Sequence, residues 1–505
     1  MVESIDIFDT AIYRDVYQPT DIFQIMESVF PGFKQKRIDA EAKARSKNLF
    51  YGLKDIYSYL PGYNPQDEVT VELNHIYANP KILNMYKKCP SRYVFISDMY
   101  LSSETLKKFL EKCGYERPRV FVSCEEKCCK GTGLIFEKVE RIVGKITKHY
   151  GDNYRADIQG AVKANVEPVY YPALQNRVLN LPMVKNPMLK KFVANLEFEE
   201  KDPLVKLVKY YAPLIYEFTK WTLKRHPGQH VYYLSRDMFM PYLIAKNILK
   251  EKDVHYIYCS RKSLCPLILN GKDKVLIDKM NVIFGQDLCK EKKDEGVKDT
   301  LEYLKSTGIK NEDIIVDIGY SGTTQRVIEQ WLNIKLHGKY IQLGHVPREF
   351  TMDARQYLNR MALTYVFLAE FIFTSPEDNM DGYINGKPYF TPDHEERKEY
   401  AKKITKIILD ENLFNQINRM KLSIFDIEQL LIHIQQYPSM EIMELFNKPI
   451  LTNRQKTESG INFNRDEILK GKLMDCYNHS YAKPLFKKML EQDKELNSLL
   501  KLLPQ

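Results

Sequence analysis

Short apolar runs that recur between helix-like stretches constrain this chain more than any other feature of its 505 residues. Tyr93-Val94-Phe95-Ile96 and Val120-Phe121-Val122 have the length and the β-branched and aromatic content of buried strands. Ile5 to Phe8 reads the same way apart from one acid, Asp6, and Val169-Tyr170-Tyr171 reads as the last strand of the series. Between them lie segments with apolar residues three and four apart, Ser102 to Cys113 with a serine cap and Leu134 to Val143. Strands separated by helices predict a parallel sheet with helices on both faces. Residues 20–88 read as helical, with Ile22, Ile25, Met26 and Val29 in helical register and breaks at Pro61 and Pro65. A helical insertion over about 15–90 is therefore expected above the carboxyl ends of the sheet.

A second series starts near residue 200. A helix from Pro203 to Lys224 precedes the strand-like runs Val231 to Leu234, Tyr256 to Tyr258, Ile314 to Val316 and Tyr340 to Leu343. Asn385-Gly386, between Tyr383 and Tyr389, signals a hairpin. Beyond about 395 the pattern predicts helices throughout. The expected fold class is α/β, with one α/β domain over 1–180, another over 195–395, and a helical region over 396–505 capping the second.

Composition narrows the function classes. The chain is 44% hydrophobic and 28% charged, ordinary for a soluble globular protein. The most apolar helical stretch, Tyr210 to Thr222, is interrupted by Glu217 and Lys220, so no membrane-spanning helix is expected. Acid within the first apolar run argues against a secretory signal, and a cytoplasmic protein is expected. The net charge of +9 is spread along the chain with no nucleic-acid motif, so no nucleic-acid partner is expected. Cys124, Cys128 and Cys129 cluster among the nine cysteines, but without a histidine or a fourth cysteine at ligand spacing they read as reduced thiols.

The chemistry starts where the first strand opens onto Asp6, followed by Asp9, Thr10 and Arg14. A carboxylate attacks phosphorus poorly unless a cation neutralises both partners and the site holds them in line. The chain supplies the parts in order. Asp6 is the candidate nucleophile. Ser97, after the strand Tyr93 to Ile96, offers a hydroxyl to phosphoryl oxygens. Lys130, in Lys130-Gly131-Thr132-Gly133, offers a cation, and its glycines favour it over the rival Lys127. Gly151-Asp152-Asn153, with Asp157 close behind, offers the oxygens that Mg²⁺ prefers.

These residues resemble the haloacid-dehalogenase-like (HAD) hydrolases. Asp6-Ile7-Phe8-Asp9-Thr10 is similar to their first motif, Phe95-Ile96-Ser97-Asp98 to the second, Lys130 to the third, and Gly151 through Asp157 to the fourth. The resemblance implies a Rossmann-like domain with a helical cap. It also implies a phosphoaspartate mechanism, with Mg²⁺ held by Asp6, the Phe8 backbone carbonyl and Asp152, and with Thr10, Asn153 and Asp157 in support. Phe8 departs from the pattern, since family phosphatases carry a second aspartate there as general acid and base. Asp9 or the cap is then expected to supply the proton.

A second constellation follows the strand Ile314 to Val316. Asp317-Ile318-Gly319-Tyr320-Ser321-Gly322-Thr323-Thr324 reads as an acid and a small-residue loop feeding a helix, a form suited to cradling phosphate. Two other strand ends lead into Ser235-Arg236-Asp237 and Ser260-Arg261-Lys262, whose cations would converge on the same crevice. Asp317 to Thr324 resembles the ribose-phosphate loop of type I phosphoribosyltransferases, and Ser235 to Asp237 loosely resembles their pyrophosphate loop. The whole arrangement is similar to bacterial surface-polysaccharide proteins that add ribofuranose. The resemblance implies transfer of 5-phosphoribosyl from phosphoribosyl pyrophosphate (PRPP) to a glycan acceptor, possible lipid linkage with peripheral contact at the inner membrane face, and removal of the 5-phosphate. A phosphatase with a non-catalytic recognition domain, and a scaffold with two retired sites, stay open as alternatives.

Overall fold

Strands of three to seven residues bury both faces only inside a layered sheet, and the computed structural model has two such sheets, in compact units spanning Met1–Glu199 and Glu200–Gln505. The structure describes residues 2–171, 184–284, 296–344, 353–359, 369, 371–436, 438–447, 449–450, 458–459, 463–478, 480, 483–493 and 495–504.

In the first unit, β1 (Val2–Ile5), β4 (Tyr93–Ser97), β5 (Val120–Val122), β6 (Ile146–Gly151) and β7 (Glu167–Tyr170) form a parallel sheet in the order β5-β4-β1-β6-β7. The chain builds outward from β1 on one side and then returns to build on the other. A topological switch point therefore lies between β1 and β6, where carboxyl-end loops diverge and leave a crevice. Three strand expectations change. The first strand stops at Ile5, one residue before the acid. The last begins at Glu167 and ends at Tyr170. β6 is a strand that the apolar pattern did not reveal, because Thr147, Lys148, His149 and Tyr150 replace the usual aliphatic run. The helices Ser103–Lys112 and Leu134–Val143 stand where the periodicity puts them, the first with Ser102 accepting from Thr105 N.

The helical insertion is framed by an antiparallel ribbon of β2 (Ile12–Arg14) and β3 (Ile76–Ala78). It therefore ends before residue 90: the helix Pro80–Lys88 sends Ile82 and Tyr86 into the core shared with Ile5, Phe95 and Tyr115. The insertion has its own core around Phe23, Phe33, Ile56 and Leu60. Beside that core Arg37, with no exposed surface, donates from Nε and Nη2 to Glu68 at 2.6 and 2.9 Å. The hydroxyls of Tyr57 and Tyr100 donate to the same carboxylate. The first unit also includes the helix Pro187–Phe198, past the boundary expected at 180, because Met188 packs on the insertion's core.

In the second unit, β8 (Val231–Leu234), β9 (Val254–Ile257), β10 (Ile314–Tyr320), β11 (His337–Leu343) and β12 (Ala354–Gln356) are all parallel, in the order β12-β11-β10-β8-β9. Here the switch point lies between β8 and β10. The Asn385-Gly386 turn, with both residues at positive φ (51° and 68°), joins β13 (Asn379–Ile384) to β14 (Lys387–Thr391) as expected. The helix Pro203–Thr222 is buried along most of its length, and Tyr216 Oη donates to Ile408 O at 2.7 Å. The C-terminal helices Glu395–Ile408, Glu411–Arg419, Ile424–Gln436 and Met440–Asn447 pack around it. A two-residue antiparallel pair, Pro449–Ile450 with Glu458–Ser459, interrupts the otherwise helical C-terminal region. Among the described residues no helix is long and apolar enough to cross a membrane.

Candidate active site

The crevice at the first switch point gathers the charged residues of four segments. Asp6 N donates to Tyr150 O at 2.8 Å, so the backbone stays in the sheet for one residue past β1 and then turns. Ala11 N donates to Asp6 O and Ile7 O, and Ile12 N to Ile7 O, closing a tight turn rather than the extended strand end expected through Phe8. Asp9 takes a left-handed φ of 60°, an uncommon conformation for a residue with a side chain. The turn sends the Phe8 ring into the core against Phe109 and under the Arg14 guanidinium, 3.8 Å from the ring centroid. Asp9 instead faces Arg14, with 3.9 Å between Oδ2 and Nη1, and is the strongest charged influence on Asp152. Thr10 is fully buried, and its hydroxyl has no hydrogen-bond partner among the described residues.

Lys130, 3% exposed, reaches the centre of the crevice. Its ammonium donates to Asp6 Oδ1 and sits 2.5 Å from Asp157 Oδ1. Lys127, the rival, donates instead to Cys124 O. The Lys130 backbone N donates to both oxygens of Asp98, each at 3.1 Å, so the residue after Ser97 anchors the lysine loop. Ser97 is buried at the end of β4, the strand paired with β1.

The fourth segment is held by a network that sequence reasoning missed in part. Asn153 accepts from Arg155 N and Ala156 N, turning the chain so that Asp157 Oδ2 accepts from Asn153 N at 2.8 Å. His149, fully buried on β6, contacts Asp157 Oδ1 through Nε2 at 3.0 Å and Ser4 Oγ through Nδ1 at 2.9 Å. With Asp157 ionised, Nε2 carries the proton and Ser4 donates to Nδ1. The sequence signal available for His149 is alternation: it lies two residues before Gly151, on the same face of the strand. Asp157 is a positioning carboxylate, both of its oxygens being taken by Lys130, His149 and Asn153.

Two glycines permit this packing. A Cβ at Gly151 would come within 2.3 Å of Asp157 Cγ, and one at Gly160 within 2.0 Å of Lys130 O. Gly160→Ala is expected to push the lysine loop away, lowering stability by about 1–3 kcal/mol and weakening anion binding. Denaturant unfolding together with phosphate titration measures both effects.

The electrostatics leave one cation short. Burial opposes the charge of Lys130, yet Asp157, Asp6 and Asp98 hold it protonated well above the ordinary lysine range. Burial also opposes ionisation of Asp157, but Lys130 and His149 keep it ionised below the usual carboxylate range. Burial lowers the His149 pKa, so the ring is neutral near pH 7. Asp6 stands well above its ordinary value, chiefly through burial, with Asp157 and Asp152 adding to the pull of burial and Lys130 opposing it. Asp152 is pushed up to about 7 by burial and then by Asp9 and Asp157. Among the described residues, one group of His, Cys, Asp or Glu side chains could enclose an ion: Asp6, Asp152 and Asp157, with an oxygen of each within 4.8 Å of the others. Hard oxygens carrying uncompensated negative charge suit Mg²⁺, with Asp6 and Asp152 as the carboxylates left to hold it.

The helix Pro187–Phe198 brings a further cation that sequence reasoning missed. Lys191 is buried with its Nζ 5.7 Å from the Tyr13 ring centroid, and burial pushes its pKa down. Tyr13 in turn is pushed up to about 12, by burial and then by Asp9.

The second crevice is looser. Arg236, at a left-handed φ of 70°, follows β8, and its backbone N donates to Tyr256 Oη. Its Nη1 is buried with no hydrogen-bond partner among the described residues. Ser235 and Asp237 flank it, half-buried. Glu377 accepts from the hydroxyls of both Tyr256 and Tyr258, fixing the tyrosine that holds Arg236. After β9, Ser260 Oγ accepts from Ser263 N and Lys262 pairs with Asp381, so Lys262 is engaged by a carboxylate and not left to a phosphate. Asp317 is pushed up to about 6 by burial, against its hydrogen bond from Ile318 N and the charge of Arg261.

The strand here continues through Asp317 to Tyr320, so the expected eight-residue cradle reduces to Ser321 and Gly322 before the helix Thr323–Leu332. Gly319 belongs to the sheet, since a Cβ there would come within 1.9 Å of Gln342 O. Ser321 Oγ and Thr323 Oγ1 are hydrogen-bonded at 3.0 Å, and Thr324 is buried.

No family model matches the chain, and no curated protein matches it.

Proposed function

We propose that the first unit is a Mg²⁺-dependent HAD-type phosphatase working through a phosphoaspartate on Asp6. The observation that carries this reading is the ammonium of Lys130 lying between Asp6 and Asp157, with Asp152 completing an oxygen cluster at a switch point. An Asp6 oxygen attacks phosphorus, and the bond from phosphorus to the leaving oxygen breaks as that oxygen takes a proton. Asp9, which faces Arg14 and acts electrostatically on Asp152, is the side chain of the first turn assigned to supply the proton, since Phe8 cannot. Water then attacks the acyl phosphate, releasing inorganic phosphate and restoring the carboxylate. Lys130 and the hydroxyl of Ser97 stabilise the phosphoryl oxygens through both steps. Mg²⁺, when bound, neutralises nucleophile and phosphate together.

The fuller reading gives the second unit transfer of 5-phosphoribosyl from PRPP to a glycan acceptor, at the cytoplasmic face of the membrane if that acceptor is lipid-linked. The first unit then strips the 5-phosphate. Arg236, with its unsatisfied buried nitrogen, and Arg261, whose charge is felt at Asp317, support an anion at that crevice. The engagement of Lys262 by Asp381 and the two-residue turn at Ser321 favour the rival, in which the second unit only recognises substrate.

One set of assays separates these readings. Wild type with Mg²⁺ is expected to release phosphate from small sugar phosphates, and Asp6→Asn to lose about a thousandfold or more of that rate. With PRPP and glycan acceptors, Asp6→Asn is expected to accumulate a phosphoribosylated product. Phosphate release without any pyrophosphate release from PRPP would leave only the recognition role for the second unit. Activity undiminished in Asp6→Asn would overturn the phosphatase reading.

A further inference from the structure

A cavity of about 460 Å³ opens at the amino ends of β10, β11 and β12 and just before β8, on the edge of the second sheet opposite Arg236 and Asp317. That volume lies within the ordinary range for small-ligand sites, about 300–1,000 Å³. Its walls carry Lys224, Arg225, Lys339 and Arg355 against one lining acid, Asp353.

Four acids lie around this wall, Glu251 and Asp253 at Arg225, and Asp353 and Glu312 at His337, so an anion is drawn only by the donors they leave unsatisfied. Glu251 and Asp253 lie 3.0 and 3.5 Å from Arg225 Nη2, but Nη1 is buried without a hydrogen-bond partner among the described residues. Asp353 contacts His337 at 2.5 Å and lies 3.9 Å from Arg355, whose side chain is 76% exposed. Lys339 is fixed in place: its ammonium donates to the carbonyls of Trp221, Thr222 and Lys224, closing the C-terminal end of the helix Pro203–Thr222. Burial pushes Lys339 down to about 8, and the charges that act on it after burial are all cations, Arg355, Arg225 and Lys224. Cations gathered around a cavity repel one another unless an anion joins them, and a buried guanidinium N–H left unsatisfied is unfavourable until an acceptor reaches it. The indole of Trp221, half-buried, forms part of the same wall and offers an apolar surface beside the charge.

We propose that this amino-edge cavity binds a small ligand carrying a diphosphate, its charge held by Arg225, Lys224 and Arg355 and its organic part lying against Trp221. The cations come from two elements, the segment after the helix and β12, which suits two linked phosphates better than one. The site is separate from the carboxyl-edge crevice of the same sheet, and its existence does not depend on the phosphatase reading.

The test uses the full-length chain, whose two tryptophans are Trp221 and Trp331. In Trp331→Phe, Trp221 becomes the sole tryptophan, and its emission is followed during titration with inorganic pyrophosphate and with uridine diphosphate at constant ionic strength. Calorimetry on wild type repeats the measurement without the substitution. Saturation of the Trp221 signal is expected, weakened about tenfold or more in the double variant Lys224→Gln, Arg355→Gln and with its midpoint kept in Arg236→Gln, which alters only the calorimetric heat from the carboxyl-edge crevice. Uridine diphosphate binding more tightly than pyrophosphate supports the contact with Trp221. The proposal is overturned if neither anion binds saturably, if the double variant binds as wild type does, or if Arg236→Gln abolishes the signal.

Discussion

Lys130→Met is expected to abolish phosphatase activity and to destabilise the first unit by about 3–5 kcal/mol at pH 8. Lys130 is 3% exposed, and its ammonium donates to Asp6 and lies 2.5 Å from Asp157. Methionine keeps most of the volume, so the loss reports charge and not packing. Without the cation, three carboxylates that approach within 4.8 Å remain in a buried crevice, and the cheapest response is protonation. Their folded pKa values then lie above their unfolded ones, so the variant recovers stability as pH falls toward about 5. Denaturant unfolding of wild type and variant at pH 5 and pH 8 measures this. A variant as stable as wild type at pH 8 would show that Lys130 does not hold the crevice together. Loss of activity should reach about a thousandfold, since both nucleophile and phosphoryl oxygens lose their neutralising group.

Metal-free protein should lose stability as pH rises from about 4 through about 7, and Mg²⁺ should restore it. Asp6 sits well above its ordinary value, and Asp152 is pushed up to about 7, burial being the first cause in both. A carboxylate with a raised folded pKa binds its proton more tightly in the native state. Its contribution is full below the unfolded pKa, about 3.9, and is lost as pH climbs through the folded value. For Asp152 the rise from 3.8 to about 7 corresponds to about 4 kcal/mol at full burial, reduced to about 2 by its partial solvent contact. Asp157 runs the other way: held ionised by Lys130 and His149, it contributes above its unfolded pKa and loses that contribution only at acid pH. In EDTA the melting temperature should therefore fall between pH 5 and pH 8. Millimolar Mg²⁺ should raise it more at pH 8 than at pH 5, and Asp152→Asn should flatten both dependences. An equal Mg²⁺ effect in Asp152→Asn would remove Asp152 from the metal site.

Much of the first crevice was legible because its parts sit where strands end. Asp6 and Ser97 each follow, or close, a legible strand, and parallel pairing brings such ends together whatever lies between; Asp152 was legible from its Gly-Asp-Asn loop instead, since the strand before it was not. Lys130 could be preferred over Lys127 from its glycines alone, but its partners could not be read. His149 and Asp98 take their roles through contacts, to Asp157 and to the Lys130 amide; alternation with Gly151 places His149 on the right face, but no local pattern encodes either partner. The orientation of Asp9 was hidden for a related reason: a strand end suggests an extended chain, whereas hydrogen bonds from Ala11 and Ile12 curl it back.

The second crevice misled in one respect. Asp-Ile-Gly-Tyr-Ser-Gly-Thr reads as a loop because it is rich in small residues. The backbone of β11 lies so close that Gly319 is needed inside the sheet, and pairing with Tyr340 to Leu343 carries the strand to Tyr320. Glu377 and Asp381, which fix the tyrosines and Lys262, come from segments far along the chain with no chemical motif of their own.

The carboxylate of Glu68 joins the insertion to the rest of the first unit in a way that bears on how substrate enters. It accepts from Arg37 and Tyr57 within the insertion and from Tyr100, two residues beyond the Asp98 that secures the lysine loop. Leu53 N also donates to Tyr100 O, so that flank is pinned by backbone as well as side chain. The insertion cannot swing open on that side as a free flap without dragging the Asp98 segment, and with it the anchorage of the central cation. On the proposed phosphatase reading, admission of substrate and the charge state of Asp6 are thus mechanically geared to one another.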